Sequence, residues 1–179
     1  PSRALVAIVG SYKYSEFIVN VKETGRIAAG RLQRSSTISR SSVLDVARFL
    51  HDGGWDVSKC YFFIAANQSD KIVVVDSHEQ KMVGLIDVNK IPHSGRGANF
   101  MHPIYGSVWV ISAFGNEKVT LIGIDPDKHA DHAWKVVELL KGQGGGSLFV
   151  KTHPKSTNLW VDTPLSPDAN VAQSVAVFD

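Results

Sequence analysis

The chain has 179 residues, 44% of them apolar and 20% charged, which is typical of a soluble globular domain with its own core. The formal net charge of +2 is too small to indicate binding to nucleic acid or to a membrane surface, and no apolar run approaches the length of a membrane-spanning helix. The lone Cys60 excludes an internal disulfide and a CxxC metal or haem-attachment site.

Short apolar runs with a period near two follow one another along the chain. They are rich in β-branched and aromatic residues and are bounded by Gly, Pro, Asn and Asp, which is typical of strands. The predicted strands are residues 5–9, 17–21, 60–65, 72–75, 83–88, 108–112, 119–124, 148–151 and 159–162. Residues 130–141 are ambiguous, because Trp134, Val137 and Leu140 fall three apart as on a helix. The Gly-rich stretch that follows and the strands around it favour a strand with its loop, so we expect an all-β fold.

The predicted strands repeat as a unit. In each unit a bulky aromatic residue stands early in one strand, which is followed by a polar turn and another strand. These aromatic residues are Phe17, Tyr61, Trp109 and Trp160. The intervals between them are 44, 48 and 51 residues. His-Pro pairs at 102–103 and 153–154 precede two of these aromatic residues by seven positions. Units of about 40–50 residues with four strands each are the signature of β-propeller blades. We expect three to four blades, with incomplete units at both ends, and a slice of a larger ring rather than a closed four-bladed one.

Residues 28–42 break the alternating pattern. Their sequence, AAGRLQRSSTISRSS, is consistent with an exposed insertion or with a basic, Ser-rich binding loop. A third hypothesis is translation out of frame, since a shift of one base could restore a strand at this place. The nucleotide sequence tests that hypothesis.

Two of the seven histidines lie in segments crowded with glycine, His51 in 51–55 and His93 in 92–100. Glycine lets the backbone approach a ligand closely, and loops at one end of a propeller commonly form its functional site. The two histidines are 42 residues apart, about one repeat, so equivalent ends of adjacent blades could direct both at one place. The alternative is two unrelated loop histidines.

The other histidines are expected to be structural or solvated. His102 and His153 occupy equivalent places in the repeat, and His78 lies in a polar hairpin turn. His129 and His132 lie in a loop with scattered aspartates that lacks a specific ligand spacing, so no metal site is predicted.

Two further positions near the glycine-rich segments could contact a ligand. Arg96, between two glycines, could pair with a carboxylate or be an ordinary surface arginine. The run 142–147 lacks the ending of a phosphate-binding loop, and Phe149 after it could pack on a flat ligand or in the core.

Long ordered motifs resemble the haem d1-binding propeller of cytochrome cd1 nitrite reductases. They are FIVNVKETG, FLHDGGWD, HSGRGANF, GQGGGSLF, KTHPKS and QSVAVFD, at residues 17–25, 49–56, 93–100, 142–149, 151–156 and 173–179. The resemblance covers nearly the whole chain except 28–42. It implies that residues 1–179 are a fragment of an eight-bladed propeller that binds haem d1, with the c-type haem domain and the proximal iron ligand lying upstream.

Carried over position by position, the resemblance implies that His51 and His93 are the catalytic histidines above the d1 iron. Arg96 corresponds to an arginine that contacts the haem carboxylates or the distal site, and Phe149 to an aromatic residue of the haem pocket. Gln173 and the run 144–146, with Gly145 at its centre, correspond to residues that line the pocket.

The reaction implied is one-electron reduction of nitrite to nitric oxide, with the two histidines as proton donors. The resemblance also implies a periplasmic, homodimeric full-length protein that receives electrons from a small cytochrome c or cupredoxin, with no nucleic acid or membrane partner. We expect the fragment alone to be inactive. The alternatives are a haem d1-binding biosynthetic paralogue, such as a d1 dehydrogenase, and a non-enzymatic propeller that binds proteins.

Overall fold

The structure is a computed structural model that describes residues 6–12, 16–21, 24–32 and 38–179. Its regular secondary structure consists of strands and one short helix, α1 (Ala169–Ala172). Among these described residues no helix is long and apolar enough to cross a membrane.

In the part of the chain that the structure describes, fifteen strands form four antiparallel sheets, each a meander of consecutive strands. The first sheet contains β1 (Val6–Gly10), β2 (Glu16–Val21), β3 (Arg26–Leu32) and β4 (Ile38–Asp45). The second contains β5 (Leu50–Trp55), β6 (Tyr61–Ala66), β7 (Lys71–Asp76) and β8 (Lys81–Asp87). The third contains β9 (Pro92–His102), β10 (Gly106–Ala113), β11 (Lys118–Gly123) and β12 (Val136–Lys141), and the fourth β13 (Val150–Lys151), β14 (Leu159–Asp162) and β15 (Val175–Phe178).

The core lies between the sheets, in three clusters that correspond to the three interfaces between neighbours. Strand β6 shows why: Phe62 and Ile64 pack toward the first sheet, while Phe63 and Ala65 pack toward the third. Successive side chains of a strand point to opposite faces. A continuous run of apolar residues therefore buries both faces of the sheet. Each sheet is therefore stabilised only by its neighbours, as expected of propeller blades.

The predicted repeat is confirmed. Its four aromatic residues all lie on the second strand of their sheets: Phe17 on β2, Tyr61 on β6, Trp109 on β10 and Trp160 on β14. The prediction that both end units are incomplete is wrong for the first, which has four strands, while the last has three.

The first unit has four strands because residues 28–32 and 38–42 contribute to it. Residues 28–32 belong to β3 and residues 38–42 to β4, and these strands pair from Arg26↔Asp45 to Leu32↔Ile38. The described part of this stretch is therefore a hairpin of the sheet, and its interpretation as an insertion is wrong. Backbone pairing does not require apolar side chains on both faces, so the missing alternation did not exclude strands. Residues 33–37 lie outside the described residues.

The ambiguous segment 130–141 is a strand with its loop, as favoured by its surroundings. Residues 136–141 form β12, the last strand of the third sheet. The preceding loop is closed by Asp125, whose side chain accepts hydrogen bonds from the backbone N–H groups of Asp127 and Lys128 and pairs with His129 at 3.0 Å.

The two His-Pro pairs have the same structural role. Nδ1 of His102 accepts a hydrogen bond from the backbone N–H of Ile104 at 3.1 Å, and Nδ1 of His153 accepts one from Lys155 at 3.1 Å. Each histidine thus closes the turn that follows its strand, which agrees with the expected structural role.

Candidate active site

The first strands of neighbouring sheets lie side by side, and glycine makes this close approach possible. A Cβ added to Gly54 on β5 would overlap the backbone carbonyl of Arg96 on β9. A Cβ added to Gly95 on β9 would overlap the carbonyl of Leu148, just before β13. The ends of these strands therefore form one continuous surface across the second, third and fourth sheets.

His51 and His93 meet on this surface. Their ring centroids are 5.4 Å apart with the planes at 50°. The expected equivalence is confirmed, because each histidine is the second residue of the first strand of its sheet. The expected loops are not observed: both histidines lie within strands, and the glycines beside them serve the contact between strands rather than a turn.

Irregular backbone at both histidines turns their side chains toward each other. The pairing of β5 with β6 shifts between Leu50 and Gly53, and that of β9 with β10 shifts opposite the segment after His93. In this second irregularity Gly95, Arg96 and Gly97 all have positive φ angles, of 47°, 72° and 63°. Such bulges redirect side chains and are common beside active sites.

Asp52 joins the two strands. Its Oδ1 lies 3.2 Å from Nδ1 of His51 and accepts a hydrogen bond of 2.8 Å from Oγ of Ser94, which is fully buried. Burial by itself would raise the pKa of Asp52, but the hydrogen bonds from His51 and Ser94 and the charges of His93 and His51 lower it to about 2. Asp52 is therefore an anion next to both rings. No sequence pattern marks Asp52 as a site residue, although it follows His51 directly.

The His93 ring is held by the backbone before the fourth sheet. Its Nδ1 lies 3.0 Å from the backbone carbonyl of Leu148. A carbonyl only accepts, so Nδ1 carries the hydrogen and Nε2 is left for another partner. Oδ1 of Asp162 accepts hydrogen bonds from the backbone N–H groups of Leu148 and Phe149 at 2.9 and 2.8 Å. These bonds hold the backbone on either side of the Leu148 carbonyl in place.

Positive charge and an exposed aromatic ring adjoin the histidines. Nζ of Lys151 donates a 3.0 Å hydrogen bond to the carbonyl of Gly95 and lies 5.5 Å from the ring centre of Phe149, which is 49% exposed. Burial lowers the pKa of Lys151 below its usual value, and the charge of Arg96 lowers it further. Lys151 is a second residue that the sequence analysis did not single out.

A cavity of about 490 Å³ opens beside His93. Its lining includes Phe114 and Asn67, whose buried Oδ1 has no hydrogen-bond partner. Gly145 borders this region, since a Cβ there would meet the carbonyl of Phe114 at 3.1 Å. Gln173 is the C-cap of α1, between β14 and β15, where its backbone N–H bonds to the carbonyl of Ala169.

By distance alone the centre could also accept a metal ion. Ligand atoms of His51, Asp52 and His93 all lie within 4.8 Å of one another. However, Asp52 and both Nδ1 atoms already have hydrogen-bond partners, and the positive charges of Arg96 and Lys151 nearby favour an anion over a cation.

Known proteins are similar to this chain in sequence or in fold. A nitrite reductase of Stutzerimonas stutzeri is 47% identical over 184 residues, which include all of this chain, and the chain spans 33% of that relative's length. The structure superimposes on a dihydro-haem d1 dehydrogenase, NirN, solved with its ligand, with a TM-score of 0.79 and 18% identity over 98% of this chain and 35% of that one. It also superimposes on the β-propeller domain of Cps50 (Swd1) from Myceliophteria thermophila, with a TM-score of 0.66 and 13% identity over 98% of this chain and 54% of that one.

These two solved structures support the propeller fold alone, because their sequences are distant. Family membership rests on the sequence. The family model described as the cytochrome D1 heme domain matches residues 1–179, the whole chain. The chain therefore belongs to the cytochrome D1 haem domain family and is a part of its β-propeller.

Proposed function

We propose that this chain forms part of the haem d1 pocket of an NO-forming nitrite reductase, in which His51 and His93 donate protons to the substrate. The observation that supports this proposal most is the juxtaposition of the two rings, 5.4 Å apart, with each Nδ1 held by a fixed acceptor. Each Nε2 atom is then available to a substrate.

The residues around the pair fit haem d1. Phe149 and Phe114 are 49% and 37% exposed, which offers apolar surface to a flat macrocycle. Arg96 and Lys151 supply positive charge for its carboxylates. Gly145 and Gln173 complete the proposed set of cofactor-binding residues.

The reaction combines nitrite, one electron and two protons to give nitric oxide and water. When bound, haem d1 would supply the iron that holds nitrite and the electron that reduces it. One N–O bond breaks, and the released oxygen takes up both protons as it leaves as water. The protein must therefore deliver two protons to one oxygen atom, and two histidines can do so.

Imidazole suits this task because its ordinary pKa is near neutrality, so the ring can both release a proton and regain one. A protonated histidine pair also attracts the nitrite anion and stabilises negative charge on the departing oxygen. The His51 side chain is 39% exposed in this chain, and the proposal includes its reprotonation from solvent after each turnover.

The full-length protein is proposed to contain features that the resemblance implies and that lie outside this chain. They are a c-type haem domain, the proximal ligand of the d1 iron, a homodimeric state and a small cytochrome c or cupredoxin as electron donor in the periplasm.

Replacing either histidine tests the proposal. In the full-length protein loaded with haem d1, we expect His51→Ala and His93→Ala each to reduce the rate of nitrite reduction by about 10²–10⁴-fold, because a proton donor is lost. The measurement is NO formation from nitrite, with haem content read from the visible spectrum. His78→Ala, in an exposed turn of the same sheet as His51, is the control and should keep normal turnover.

Full turnover by either variant would contradict the assignment. Oxidation of dihydro-haem d1 without reduction of nitrite by the parent protein would instead identify a biosynthetic paralogue. A protein that binds no haem d1 would favour a protein-binding propeller.

A further inference from the structure

Strand β5 places two neighbouring residues on the same side. Successive side chains of a regular strand point to opposite faces, yet Nδ1 of His51 and Oδ1 of Asp52 lie 3.2 Å apart. The shift in pairing between Leu50 and Gly53 explains this, since it leaves His51 and Asp52 without regular partners on β6. The bulge thus gives His51 a carboxylate beside its ring.

The same carboxylate oxygen also holds the neighbouring strand. Oγ of Ser94 donates a 2.8 Å hydrogen bond to Oδ1 of Asp52, and Ser94 follows His93 directly on β9. One oxygen atom therefore connects the backbone that carries His51 to the backbone that carries His93. It links two sheets by side chains at the point where the histidines meet.

The charge of Asp52 determines which ring nitrogen of His51 carries the hydrogen. The pKa of Asp52 is lowered to about 2, so near neutral pH the carboxylate is ionised and can only accept hydrogen bonds. A neutral imidazole has one N–H group, and the contact with Asp52 places it at Nδ1. His93 reaches the same tautomer by a different route, through the carbonyl of Leu148.

We propose that Asp52 is a positioning residue, which holds His51 in the Nδ1–H tautomer so that its Nε2 exchanges protons with the substrate, and which keeps the two histidines at their separation through Ser94. The proposal rests on the function proposed above for His51 and His93. Asp52 does not donate the proton itself. Its role resembles that of any buried acceptor that orients a ring by accepting from its second nitrogen.

The decisive measurement is the tautomer of His51, from ¹⁵N NMR of the imidazole nitrogens in the haem-free full chain on the alkaline side of the ordinary histidine pKa. In the parent we expect hydrogen at Nδ1 in both His51 and His93. In Asp52→Asn, the side-chain amide can donate to Nδ1, so His51 should shift toward the Nε2–H tautomer. His93 should not change, because Leu148 still accepts from it, and it serves as the internal control.

Turnover gives a second readout in the haem-loaded protein. Asp52→Asn should lower kcat for nitrite by about 10- to 100-fold with little change in KM, the size typical of lost orienting partners. Ser94→Ala keeps the acceptor for His51, so its tautomer should stay as in the parent while kcat falls less than in Asp52→Asn.

An Nε2–H tautomer of His51 in the parent chain would overturn the proposal without any variant. An unchanged tautomer and normal kcat in Asp52→Asn would also overturn it. If either result is found while His51→Ala still lowers the rate of nitrite reduction, the proposed function stands and only the role of Asp52 is wrong. If His51→Ala reduces nitrite normally, the proposed function fails, whatever the tautomer of His51.

Discussion

At the scale of single residues, the candidate site depends on a position that has no side chain. Gly54 lies on β5 where this strand contacts β9, and the contact is with backbone, the carbonyl of Arg96. A flexible side chain could move aside, but a carbonyl within a strand can move only with the strand. Arg96 itself has a φ of 72°, a conformation that costs a non-glycine residue free energy and is common at functional sites.

Gly54→Ala is expected to separate β5 from β9 and to lower the free energy of unfolding by about 1–3 kcal/mol, the cost of overpacking. The matched control is Gly10→Ala on β1, where an added Cβ has nothing within 4 Å. Urea unfolding followed by tryptophan fluorescence measures both. Equal stability of the two variants would show that the strands do not need this close contact.

At the scale of elements, the turns between β9 and β10 and between β13 and β14 have the same hydrogen bond at equivalent positions of two successive sheets. His102 and His153 each accept a backbone hydrogen bond from the residue two positions later, across a proline. His102 also pairs through Nε2 with Glu138 on β12 at 3.2 Å, whereas His153 is exposed. The repeat thus conserves the geometry of the turn while the surroundings of the two rings differ.

His153→Ala should lower the free energy of unfolding by about 0.5–1.5 kcal/mol, because the N–H of Lys155 loses its acceptor. His153→Asn should recover most of this, since an asparagine side chain can accept from the backbone two residues on. Chemical denaturation of the three proteins tests the prediction. Equal losses in the Ala and Asn variants would indicate that the ring contributes by packing instead.

At the scale of the whole molecule, stability resides in the contacts between sheets. Trp109 is fully buried between the second and third sheets and stacks on Phe63 with ring centroids 4.6 Å apart. Trp160 occupies the equivalent strand of the fourth sheet and is 47% exposed. Two tryptophans at matching positions of the repeat therefore have different environments, because only one lies between two sheets of this chain.

Trp109→Ala should destabilise the chain by about 3–5 kcal/mol, the usual cost of removing a large buried aromatic side chain. Trp160→Ala should cost less than half as much, because half of its surface is already exposed. Unfolding in denaturant, followed by far-ultraviolet circular dichroism, compares the two. Similar costs would mean that the second and third sheets do not depend on their shared core.

The sequence alone determined the strands with an alternating apolar pattern, the repeat and the placement of two histidines one repeat apart. These features follow from local rules: alternation of apolar residues within a strand, and equivalent positions in equivalent units. It also singled out Arg96 and Phe149; the charge of Arg96 acts on Lys151, and the Phe149 ring lies 5.5 Å from Nζ of Lys151. It failed at residues 28–42, where backbone pairing forms strands without an apolar signal.

Only the tertiary structure decided that the glycine-rich segments are strands and that Asp52, Lys151 and Phe114 adjoin the histidines. The sequence does not distinguish a glycine in a turn from a glycine at a close contact between strands. Only the position of the neighbouring sheet distinguishes the two. Adjacent residues of a strand should point apart, so the sequence gives no reason to pair His51 with Asp52. The bulge that turns them to one side, and the hydroxyl of Ser94 that reaches across from β9, exist only once the two sheets are packed together.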